Sequence, residues 1–96
     1  MVVRHMAMIA SWIRINGAQV VEGLQDATEK LDAADGELVL DFASVRRIDP
    51  NAIRAMESFA SAAEGKSVKV VLRSVNVDVY KVLKLVKLAR RFCFVS

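Results

Sequence analysis

The sequence predicts an α/β domain with a mixed sheet of four or five strands and helices mainly on one face. Three observations predict it. Short apolar segments alternate with longer stretches of helical period, giving a β-α-β-α-β-α-β order that favours right-handed crossovers. The strands carry polar groups on alternate positions (Arg14, Asp41, Lys69, Arg73), more than strands covered on both faces do. The chain has 96 residues, 54% of them apolar, which is enough for one small core and not for two. Residues 1–96 are therefore read as a single domain.

In chain order, the first ten residues are open to two readings, an edge strand carried by Val2 and Val3 or a loose terminus. Trp12-Ile13-Arg14-Ile15 alternates as a strand and Asn16-Gly17 breaks it. From Ala18 to Ala34, Val20, Val21, Leu24, Ala27 and Leu31 recur at helical spacing, and Asp35-Gly36 closes that helix. Leu38, Leu40 and Phe42 share one face of the next strand and Val39 and Asp41 the other. Asp49-Pro50 opens a helix, with aspartate as cap and proline in the first turn. Ile53, Met56, Phe59, Ala60 and Ala63 form its apolar stripe, and Gly65 ends it. Val68 to Leu72 is a strand, β-branched at three positions. A helix beginning near Asp78 repeats Val79, Leu83 and Val86, and Phe92 to Val95 is a last short strand.

Composition excludes several classes. No apolar run approaches the roughly 18 residues that span a membrane. The one cysteine makes no internal disulfide, and one cysteine with one histidine does not build a zinc site, so no metal or cofactor is expected and the cytoplasm is the expected location. Net charge is +3, but residues 16–64 hold ten acids against four bases and residues 65–96 eight bases against one acid. This polarity ranks nucleic-acid binding below protein binding. Neither a dinucleotide-type nor a P-loop glycine spacing occurs, and no serine sits in a nucleophile elbow. Asp41 and Asp49 are explained by turn and capping duty at less cost than by paired-carboxylate chemistry. The expectation is a protein that is not an enzyme.

The informative segment is ELVLDFASVRRIDPNAIRAM, Glu37 to Met56. A strand ends in Leu-Asp-Phe, a loop ends in Ile-Asp, and a helix starts there. This resembles the STAS domain, the family shared by sulfate transporters and bacterial anti-sigma factor antagonists, over the span from Trp12 to Phe92. In that family a turn of Asp-Ser-Ser-Gly-Leu-Gly type opens the helix. Asp49 falls on the turn aspartate, Pro50 replaces the first serine, and Asn51 replaces the serine phosphorylated in the antagonists. Ala52 stands at a glycine, Ile53 matches the apolar position, and Arg54 replaces a small residue.

The resemblance implies a bacterial, non-enzymatic interaction module acting in regulation of transcription. It would dock an anti-sigma factor or switch-kinase-like partner through Asp49, Pro50, Asn51, Ala52 and Arg54. Asn51 has no hydroxyl, so the phospho-switch is missing. Ser44 and Ser58 are the nearest other acceptors, each read first as a loop or solvent-face residue. Alternative implications are a small cytoplasmic subunit of a phospholipid ABC transporter or another transport assembly, and a nucleotide- or anion-sensing domain using Arg46, Arg47 and Arg54. A homodimer is compatible with each. For the three arginines the plainer expectation is a solvated loop with local pairs to Asp41 and Asp49. Lys81, Lys84, Lys87 and Arg91 recur as a basic helix face, plainly read as solvated. Trp12 is expected to be a partly buried edge residue and Cys93 a core residue.

Overall fold

The computed structural model describes residues 11–96. The edge strand or loose terminus expected over residues 1–10 lies outside the described residues. The elements are β1 (Ser11–Arg14), α1 (Val20–Glu29), β2 (Glu37–Asp41), α2 (Pro50–Gly65), β3 (Lys69–Arg73), α3 (Val77–Leu85), a 3-10 turn (Ala89–Arg91) and β4 (Cys93–Val95). The sheet order is β1-β2-β3-β4 and every pairing among these strands is parallel. Four strands fall within the expected number. A monotonic parallel order with right-handed crossovers puts all three helices on one face, as the polar alternation of the strands implies.

The register carries the two faces across the sheet as rows. Ile13, Leu40, Leu72 and Phe94 are successive partners on the inner face. There one core gathers Ile15, Leu38, Leu40, Phe42, Val70, Leu72 and Phe92 with Leu24 and Ala27 of α1, Met56 and Phe59 of α2, and Val79 and Leu83 of α3. Burial of this kind contributes about 25 cal/mol per Å² of apolar surface. On the outer face the rows are Trp12-Val39-Val71-Cys93 and Arg14-Asp41-Arg73-Val95. The Arg73 guanidinium reaches across β2 to lie 5.7 Å from the Trp12 ring centroid. Asp41, between Arg14 and Arg73 in its row, is buried although it points away from the core. Trp12 itself is 54% exposed.

Helix α1 is shorter than the stretch from Ala18 to Ala34. Asn16 Oδ1 accepts from the Ala18 amide at 2.8 Å, an Asx turn that delays the helix, and Gln19 makes no side-chain cap. After Glu29 the chain runs on in turns to Ala33. Helix α2 begins and ends where Asp49-Pro50 and Gly65 mark it. Cys93 is exposed, not in the core: strand alternation turns Phe92 and Phe94 inward and Cys93 to the outer face. Arg91 is not part of an open basic face. Its guanidinium donates to Glu64 at 2.9 and 2.8 Å and to Ser61 at 3.1 Å, tying the 3-10 turn to α2.

Candidate functional site

The site grows from two loops that leave the carboxyl ends of β1 and β2. Such loops lie at the same edge of a parallel sheet, where α/β folds bind their ligands. The Gly17 amide donates to Ser44 Oγ at 3.0 Å, and that hydroxyl donates to the Ile15 carbonyl at 3.0 Å. The loops touch closely enough that a Cβ on Gly17 would lie 2.0 Å from the Ser44 carbonyl oxygen. Ser44, expected as an ordinary loop residue, is the pin between them.

Beyond that pin the N-terminal ends of α1 and α2 enclose a groove of about 720 Å³. Gln19, just before α1, and Glu22 and Gln25 on it line one wall, and Arg47, Asn51, Arg54 and Ser58 line the α2 side. Asp49 caps α2 by accepting from the Ala52 amide at 2.8 Å. Pro50 occupies the first turn, where its missing N–H costs nothing. Asn51 is exposed, and its Oδ1 accepts from Arg54 Nη2. Ala52 is buried, 3% exposed, at the floor of the groove. The helix end adds a partial positive charge beside Arg47 and Arg54, set against Glu22 and Asp49.

The structure brings Arg47 and Arg54 to this groove and leaves Arg46, which is exposed, off its wall. The expected pairing of the three arginines with Asp41 and Asp49 is not made among the described residues. Arg54 goes to Asn51, and Asp41 lies 3.8 Å from Arg14 on the outer face while accepting from the Ala43 amide at 2.9 Å. Asp41 and Asp49 therefore hold separate turns. Asn76, which sequence reasoning passed over, supports the site from below. Its Oδ1 caps α3 at the Val79 amide, 2.7 Å, while its Nδ2 donates to the Val45 and Arg46 carbonyls at 3.3 and 3.1 Å. It thereby fixes the loop that carries Arg47.

The family model described as the STAS domain matches residues 11–96. The chain belongs to the STAS domain family. This STAS domain also shares its fold with a crystal structure of a proposed anti-sigma factor antagonist from Thermotoga maritima. The two are 21% identical with a TM-score of 0.63, over 88% of this chain and 72% of that one. Among curated proteins none matches this sequence. No helix among the described residues of the STAS domain is long and apolar enough to cross a membrane.

Proposed function

We propose that this STAS domain is a non-catalytic docking module that engages a protein partner through the Asp49–Arg54 turn and the first turns of α2. The observation that carries the reading is the placement of Asn51. It stands exposed at a capped helix N-terminus, tied to Arg54, on the wall of the groove. Family membership supports the same reading, and the Thermotoga maritima protein bears a name of the same class. Affinity at such a surface comes from apolar burial around the helix, and register comes from the polar groups of the turn.

A phosphorylated serine at this position places about −1.5 to −2 charges at the helix end. Asn51 keeps the site neutral, so the module is always competent to dock. The test imitates the missing charge. Asn51→Asp adds a carboxylate that a helix N-terminus tolerates, so the fold is retained. With the partner of the unaltered chain identified by affinity purification, N51D is expected to bind that partner about tenfold or more weakly. Unchanged binding by N51D, with circular dichroism unchanged, overturns docking through this turn. A soluble kinase-like partner supports the antagonist reading, and a membrane ATPase instead assigns the domain to a transport assembly.

A further inference from the structure

We propose a second docking surface, on the side of the sheet away from β1: the edge of β4 takes an extended acidic segment of a partner protein as an added strand. Among the described residues β4 has β3 as its one neighbour. The Val95 carbonyl accepts from the Ser74 amide at 3.0 Å, so Val95 faces β3 and the alternation of the strand turns the Phe94 N–H and C=O outward. An outward pair of this kind is what an incoming strand bonds to.

Side-chain clefts flank that backbone. Tyr80 and Phe94 meet edge to face at 5.1 Å, and each also lines a cleft on either side of the pair. One cleft, of about 340 Å³, is bordered by Val75, Val77 and Val95. The other, of about 470 Å³, is bordered by Lys84, Lys87 and Arg90. Alternate side chains of an added strand lie about 7 Å apart on one face, so one apolar and one acidic residue reach the two clefts together. None of the three cations has a carboxylate within 4 Å among the described residues. Charge also disfavours a second copy at this edge, which would bring the cations together.

Lys87 follows the end of α3 on the border of this cleft. It holds a left-handed backbone, φ 63°, after α3, while the Leu88 amide bonds the Leu83 carbonyl at 2.8 Å and the Lys87 amide the Lys84 carbonyl at 3.1 Å. Glycine occupies this position of the motif at least cost. Ser67 closes α2 with the same pair of bonds at φ 57°, and at Lys87 the motif sets a charge beside the cleft.

The test uses a fluorescein-labelled octapeptide of the repeat Val-Val-Glu-Glu, which places valine and glutamate in turn along each face of a strand, titrated with the chain by anisotropy. Saturable binding is expected, weakened by salt. It should fall about tenfold in Lys84→Gln/Lys87→Gly. Lys87→Gly relaxes its backbone, so loss of fold does not explain loss of binding. Methylating the peptide's backbone nitrogens should abolish binding, because it removes the added-strand bonds. N51D should bind this peptide as the unaltered chain does, which separates the two surfaces. No saturation up to about 1 mM peptide, or equal binding by the double variant, overturns the proposal. So does co-sedimentation with phosphatidylserine vesicles, lost in the double variant, in the absence of peptide binding.

Discussion

Gly17 shows how one residue can hold a groove open without lining it by a side chain. Its hydrogen replaces a Cβ that would lie 2.0 Å from the Ser44 carbonyl oxygen, inside any allowed contact. Because that oxygen belongs to backbone, relief requires the two loops to separate, which also lengthens the bond from the Gly17 amide to Ser44 Oγ. Gly17→Ala is expected to destabilise the domain by about 1–3 kcal/mol, with the midpoint of urea unfolding as the measurement. Binding at the groove should weaken more than stability alone dictates, because both lips shift. A variant as stable as the unaltered chain would show that the loops yield freely. The sequence marks Gly17 as a turn residue through Asn16-Gly17, but the clash is set by Ser44, 27 residues away. No local pattern contains that information.

Helix ends are where the elements of this fold were most and least legible. The bounds of α2 follow from Asp49-Pro50 and Gly65 because its cap bond closes within three residues, from Asp49 to Ala52. The start of α1 is poorly legible because the Asx turn of Asn16 competes with helix over the same residues. Asn76 escaped notice for the opposite reason: its two amide bonds reach the carbonyls of Val45 and Arg46, about 30 residues earlier. The same distinction gives a measurable contrast. Asp49→Ala removes one cap bond and is expected to cost about 1 kcal/mol. Asn76→Ala removes a cap and two further bonds to the Val45 and Arg46 carbonyls, and about 2 kcal/mol is expected. Asn76→Asp keeps the cap acceptor but turns an oxygen toward those carbonyls, so it should rescue little. Equal losses for Asp49→Ala and Asn76→Ala in chemical unfolding would mean that Asn76 does not hold the loop carrying Arg47.

At the scale of the whole molecule, the charge polarity visible in the sequence becomes a clasp between the acidic and the basic parts of the chain. Arg91, just before the last strand, closes onto Glu64 near the end of α2 through two hydrogen bonds, with Ser61 as a third acceptor. Those hydrogen bonds hold the Glu64 carboxyl below its usual range and raise the Arg91 guanidinium above its own. A carboxylate whose folded pKa is depressed stabilises the fold above its unfolded pKa, and that contribution is lost as pH falls through the folded value. The loss therefore belongs to acid, below about pH 4, and not to the neutral range. Arg91→Met keeps the apolar stem and removes the charge. Its melting temperature should lie below that of the unaltered chain at pH 7, and the two curves should converge as the solution is taken through and below the ordinary glutamate range. The pair is surface-exposed, so the gap is modest, and added salt should narrow it at pH 7. A gap that persists undiminished in acid would assign the role of Arg91 to packing of its stem against α2, and would leave the last strand held to the rest of the domain by the sheet and the core alone.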